Sequence, residues 1–329
     1  MGSEYRNKKL EAMELALEAD GLVERDGMNP LHRACAMGAQ ERVRILLAHG
    51  ASVVDVDVDG KTPLNIACSS WSGSASIVRL LLAHGADANA RDNNGRTALH
   101  EAVSHSKADL VSALLEHSID INATDSEGKT ALHVAMLETT MEIIEMLLAA
   151  GANTGAVDMH GNSVVRVACD HTRLGALKAL FIHGVDPDMV DEDGNTLLHI
   201  AAHKHERFVV CVLLARNSDV HARNKHGETP LTRCLQWGLS RHNYKEALEV
   251  AYQLMSKHAV YEGTFSSSPS TDARTHDGGE ILRLCVEHWA TEQQRGISPL
   301  TRVPYDTLGR GPAAVKAYLD DLNTTSNVQ

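Results

Sequence analysis

Nineteen histidines and six cysteines are the residues of this 329-residue chain with the most chemistry to offer, because imidazoles and thiolates bind metals, move protons and attack electrophiles. Their spacing argues for none of these. No CxxC pair, HExxH helix, nucleophile elbow or glycine-rich phosphate loop occurs. His199, His203 and His205 form a dense group, but no Cys or carboxylate completes a tetrahedral set around them. His32, His100, His133 and His199 each close a tetrad of the Asn-Pro-Leu-His, Thr-Ala-Leu-His or Thr-Leu-Leu-His kind. There the ring can bond neighbouring backbone groups and tie a turn to a helix. His49, His84, His117 and His183 end apolar helical runs, where a cation favours the helix dipole. Cys35, Cys68 and Cys169 share one small-residue slot, with Cys234 one residue earlier, and read as packing groups rather than redox or metal groups. The expectation is a protein without enzymatic activity, cofactor or metal.

The elements that carry these residues repeat. Gly95 to Glu127 reads GRTALHEAVSHSKADLVSALLEHSIDINATDSE, and the next copy, from Gly128, opens GKTALH with its paired leucines in register. Turn glycines fall at Gly27, Gly60, Gly95, Gly128, Gly161, Gly194 and Gly227, with spacings of 33, 35, 33, 33, 33 and 33. A self-similar period of this size signals an array of stacked units. Each copy reads as a turn, a short helix from about Ala98 and a second amphipathic helix ending near Leu115. Two such helices cannot bury their apolar face alone, so each copy needs a neighbour. The fold expected is an all-α solenoid of about seven helix-turn-helix repeats. Glycine or a tolerant residue is expected at the left-handed end of each second helix: Gly50, Gly85, Gly151, Gly184 and Asn217, with Ser118 paying a penalty.

The period, the Thr-Pro-Leu and Thr-Ala-Leu-His openings at Thr62, Thr97, Thr130 and Thr229, and the paired leucines before Gly-Ala resemble the ankyrin repeat family over roughly residues 20 to 260. The resemblance implies that turn tips and first helices form a concave face that binds protein partners. Carried onto this sequence, the implied contact residues are Arg91, Asn93, Asn94 and Arg96, then Leu137, Met159 and His160, then Glu192 and Asp193, then Lys225, His226 and Trp237. Leu137, Met159 and Trp237 are the informative ones, since an apolar side chain at a solvated position suggests an anchor. Asn89 and Asn122 also resemble ankyrin asparagines that accept hydroxylation.

In chain order, residues 1–26 are read as an N-terminal cap whose helix covers 7–20, and 27–260 as the array. Repeat two carries two extra residues in the Ser-rich stretch Ser69 to Ser76, with Trp71 exposed there or folded back on helix ends. Repeat seven carries an insertion near Gly238 to Tyr244, residues 261–278 read as a flexible linker, and 323–329 as a frayed tail. The net charge of −12 disfavours nucleic acid or an anionic membrane surface, and a neutral or basic protein partner fits better. The N-terminal sequence lacks the apolar core of a secretory signal. Position 6 is Arg where a myristoylation motif has Ser or Thr. A monomer in a reducing compartment, cytoplasmic or alternatively nuclear, is expected.

Residues 279–322 admit two readings. By size and position they resemble the SOCS box of the ankyrin-SOCS-box family, which implies engagement of elongin and a cullin. The matching residues are Ile281, Cys285 and Trp289 on one helix face, followed by Val303 and Pro304. On that reading the protein is the substrate-recognition subunit of a cullin-type ubiquitin ligase. Otherwise the segment is a pair of capping helices, which an exposed solenoid end requires, and the protein is an interaction scaffold or adaptor.

Overall fold

The computed structural model describes residues 27–238, 244–257, 283–290 and 313–319. The N-terminal helix, the linker at 261–278, the tail at 323–329 and most of the repeat-seven insertion lie outside these residues. Every regular element among the described residues is a helix, with isolated antiparallel bridges at Thr124–Thr130, Val157–Ser163 and Val190–Thr196. The chain divides into two compact units, Met1–Val167 and Ala168–Gln329.

The first unit contains α1 (Pro30–Ala36), α2 (Gln40–Ala48), α3 (Pro63–Ser69), α4 (Ala75–Ala83), α5 (Ala98–Ser104), α6 (Ala108–Leu115), α7 (Ala131–Glu138) and α8 (Met141–Ala149). First helices α1, α3, α5 and α7 stack on one another, and second helices α2, α4, α6 and α8 form the other layer. Helix α9 (Val164–Asp170) spans the boundary between units. The second unit continues with α10 (Leu174–Ile182), α11 (Leu197–His203), α12 (Arg207–Leu214), α13 (Pro230–Gly238) and α14 (Tyr244–Met255). In it α11 packs on α13, and α12 packs on both α10 and α14. Leucine, isoleucine and valine from both layers are removed from water, with Leu110, Leu114, Ile143, Ile144 and Leu147 fully buried.

The first helices start where the sequence provides a cap. Thr62, Thr130 and Thr196 accept from the N3 backbone N–H, Asn29 accepts from Leu31 and His32, and Pro30 and Pro63 fill the first turn. Most second helices lack a side-chain cap at their start, as at Ala39, Lys107, Arg173 and Glu206. The chain enters them through one left-handed residue, which is Gly38, Ser106, Thr172 or His205 in different repeats. At the far end Gly50, Gly85, Gly151, Gly184 and Asn217 take positive φ as expected, but Ser118 does not. Helix α6 stops at Leu115 with Glu116 as its C-cap, so Ser118 never enters that region and carries no penalty. Of the left-handed non-glycine residues Thr172, with φ of 51°, is the β-branched one and so the most strained. Thr172→Gly should therefore raise unfolding free energy by about 0.5–1 kcal/mol in urea titrations, the relief being larger than glycine's entropic cost, whereas Ser118→Gly should gain nothing.

Among the described residues two further helices follow α14: α15 (283–290) and α16 (313–319). Cys285, Val286 and Trp289 of α15 and Val315 and Leu319 of α16 are buried. Trp289 meets Tyr252 of α14 in an edge-to-face arrangement, with ring centroids 5.3 Å apart at 66°.

Candidate protein-interaction surface

Each turn is built around one side chain. The Asp57 Oδ1 accepts the N–H groups of Asp59 and Lys61 at 2.9 and 2.8 Å, and Asp92, Asp125, Asp158, Asp191 and Asn224 repeat the arrangement. Neighbouring tips are joined by backbone bonds: Asn93 N–H to Asp59 O, Ser126 N–H to Asn94 O and Met159 N–H to Glu127 O in the first unit, and Lys225 N–H to Asp193 O in the second, all 2.8–2.9 Å. A second row of bonds runs behind them. Asn89 Oδ1 accepts the Asp120 N–H and Asn122 Oδ1 accepts the Asn153 N–H, each at 2.7 Å. Rigid tips of this kind present side chains without an ordering cost on binding.

The histidine tetrads tie each turn to the next repeat. His100 Nδ1 accepts from the Thr97 N–H at 3.2 Å while its Nε2–H donates to Lys129 O at 3.0 Å. His133 bonds Asn162 O and His199 bonds Glu228 O in the same manner, and His32 Nε2 reaches Lys61 O. Burial holds the pKa of all four below the ordinary imidazole value. His49, His84, His117 and His183 sit at the ends of second helices, and each ring donates from Nδ1 to the carbonyl four residues back, at 2.8–3.2 Å.

His199 Nε2 is spent on Glu228 O, and His205 Nε2 on Cys234 O at 3.1 Å. Among the described residues no three His, Cys, Asp or Glu side chains are placed to hold an ion. Cys35, Cys68, Cys169, Cys234 and Cys285 are buried and unbridged, and burial pushes the Cys35 and Cys285 thiols up to about 12. Melting temperature should accordingly be the same with and without EDTA or dithiothreitol, read by circular dichroism.

The residues expected to meet a partner divide by what they touch. In the first unit Arg91 is exposed, yet its Nη1 donates to Thr124 O at 2.7 Å. Asn93 Nδ2 donates to Val58 O at 3.0 Å, and Arg96 reaches Ser104 Oγ at 2.9 Å. These three brace adjacent turns and helices, a structural duty in addition to the contact role expected. Asn94 is exposed, Leu137 is half-buried, and Met159 is 66% exposed beside the exposed Val157 and His160. In the second unit Glu192, Asp193, Lys225 and His226 are exposed. The Trp237 side chain lies outside the described set. Sequence reasoning passed over Val54, Val56 and Val58, an exposed apolar row on the turn before Gly60. The alternation Val-Asp-Val-Asp-Val was its signal, since alternate residues of an extended segment share one side. Of the residues that the recruitment reading of 279–322 names, Cys285 and Trp289 are buried within the chain itself, while Ile281, Val303 and Pro304 lie outside the described residues.

No helix among the described residues is long and apolar enough to cross a membrane. Three copies of the family model for ankyrin repeats match residues 3–92, 71–158 and 165–260. A 49-residue stretch is 47% identical to human Rabankyrin-5, covering 15% of this chain and 4% of that protein, and a 46-residue stretch is 46% identical to mouse Rabankyrin-5, again 4% of its length. The chain thus matches only a small part of these relatives. Among solved structures, the ankyrin repeat domain of Bcl-3, a member of the IkappaB protein family, superposes with a TM-score of 0.58 at 30% identity, over 64% of this chain and 95% of that one. With turn geometry, two helical layers and the matched residues in agreement, the chain belongs to the ankyrin repeat family.

Proposed function

We propose that this protein is a non-enzymatic scaffold or adaptor that grips a protein partner on the side formed by its turn tips and first helices. The observation that carries the reading is the row of rigid tips, bonded to one another yet ending in exposed side chains such as Met159 and Val157. A methionine left in water on an ordered tip is a suitable anchor. Met159→Ala, and separately Trp237→Ala, should each weaken partner capture by about 1–3 kcal/mol without changing the circular dichroism spectrum. Capture unchanged in both would move the site off these tips. The cytoplasm or nucleus as its location belongs to the same reading. Hydroxylation of Asn89 or Asn122 would be read by mass spectrometry of protein from oxygenated cells.

For the C-terminal segment we favour a cap on repeat seven over ligase recruitment, a reading supported by the burial of Cys285 and Trp289 and by the contact of Trp289 with Tyr252. Co-purification of the intact chain and a version ending at Gly279 distinguishes the two. A cap predicts no elongin or cullin on the intact chain and aggregation of the shortened one. Ligase subunits recovered only with the intact chain would restore the receptor reading.

A further inference from the structure

One turn tip carries a reactive pair. The residue before the turn glycine is Asp59, Asn94, Glu127, His160, Asp193 or His226 in successive repeats, and Asn94–Gly95 is the one Asn-Gly sequence in the chain. The fold requires glycine there. Gly95 has φ of 72°, and a Cβ on it would stand 2.9 Å from the Ser126 N and 3.1 Å from the Asp125 carbonyl carbon. No side chain therefore shields the Gly95 nitrogen from the amide of the residue before it. The Asn94 side chain is exposed and makes no hydrogen bond among the described residues. Other asparagines of the unit are tied. Asn93 Nδ2 donates to Val58 O, Asn89 Oδ1 and Asn122 Oδ1 each accept a backbone N–H from the next repeat, and Asn153 Oδ1 accepts the Gly155 N–H. Asn29 accepts from two N–H groups and precedes Pro30, whose nitrogen has no proton to lose.

We propose that Asn94 is a site of spontaneous deamidation in the folded protein. The Gly95 nitrogen gives up its proton and bonds to Cγ of Asn94, the side-chain nitrogen leaves as ammonia, and water then opens the cyclic imide. Opening at one carbonyl gives aspartate at position 94; opening at the other gives isoaspartate, in which the main chain runs through the former side chain. In the closed turn the Gly95 N–H donates to Asp92 O at 2.9 Å, so the reaction waits on openings of this exposed tip, which need not unfold the array. Product accumulates irreversibly, and rare openings suffice. Asp59 and Asp193 also precede glycine, but an ionised carboxylate resists the same attack. On the scaffold reading the consequences fall on the partner-facing tips. Aspartate adds a charge to an exposed tip residue. Isoaspartate lengthens the main chain and turns the carbonyl of residue 94, which accepts the Ser126 N–H at 2.8 Å, into a free carboxylate, so the link between the tips of repeats three and four is lost.

The test incubates the intact chain at physiological temperature, folded and in urea, and maps its peptides by mass spectrometry. The reference within the chain is Asn217, which is likewise exposed and without a side-chain hydrogen bond among the described residues, but precedes Ser218, whose side chain hinders the attack. In the folded chain residue 94 should convert several-fold faster than Asn217, and faster as the pH rises, with labelling by an isoaspartyl methyltransferase appearing in step. Asn94→Gln, whose longer side chain must close a larger ring, should abolish conversion at this tip without changing the circular dichroism spectrum. Conversion confined to urea, conversion placed at Asn93 by the fragment masses, or a folded-state rate no greater than that of Asn217 would overturn the assignment. The readout needs no partner, so it stands apart from any result on capture through Met159.

Discussion

Replacing Lys61 and Arg96 together by methionine should cost the unit Met1–Val167 about 3–5 kcal/mol, because it leaves a carboxylate inside the protein without its cations. Glu101 lies on α5 and is 1% exposed. Lys61 Nζ approaches it at 3.2 Å and Arg96 Nη1 at 3.6 Å, each from the position that follows a turn glycine, while His105 Nδ1 lies at 3.7 Å. Removing the acid is a smaller change. In Glu101→Gln the two cations, with side chains 21% and 28% exposed, can turn toward water, so the loss should be about 1–2 kcal/mol. A triple variant that also carries Glu101→Met should recover much of what the double one loses, as buried ion clusters replaced by apolar side chains often do. Because the chain has two compact units, global unfolding need not be one transition. Amide hydrogen exchange in α3, α5 and α6 reports the local free energy directly. Protection unchanged in the double variant would show that Glu101 is hydrated or neutral without its partners.

That cluster was not legible in the sequence, and the reason is instructive. The period, the caps and the paired leucines are local signals, so the helix running from Ala98 and the one ending at Leu115 follow from them directly. Glu101 looks like any surface glutamate until the fold brings Lys61 from 40 residues earlier beside it. The same limit explains Asn93 and Arg96. By position they resemble contact residues, yet their side chains are committed to Val58 and Ser104. The left-handed residues between helices escaped notice because Ser106, Thr172 and His205 are not glycines, and Ser118 misled because helix α6 ends before it.

Acid should weaken this fold well above the pH at which carboxylates titrate. In the threonine tetrads the ring is neutral by construction: Nδ1 accepts from a threonine N–H while Nε2–H donates to a carbonyl, as in His100 and His133. A second proton would set a ring N–H against a backbone N–H inside a buried site, and burial keeps the pKa of His32, His100 and His133 below 6.5. The unfolded chain takes up these protons first. Their contribution is therefore complete above about pH 6.5 and lost as the pH falls through the folded values. His32, His100 and His133 all lie in the unit Met1–Val167, so stability should fall with pH below that point, each ring adding no more than about 1.4 kcal/mol per pH unit to the slope. Repeat two provides the control. There Asn65 stands in place of the histidine, its Oδ1 accepting from Thr62 Oγ1 and its Nδ2 donating to Arg96 O at 3.4 Å, so an amide fills both ring positions without titrating. His133→Asn should accordingly flatten the slope, by no more than about 1.4 kcal/mol per pH unit, measured by urea unfolding or hydrogen exchange between about pH 7 and 5, a window above ordinary carboxylate titration. An unchanged slope would mean that His133 is already protonated in the folded protein, and the hydrogen-bond directions assigned to the tetrads would be wrong.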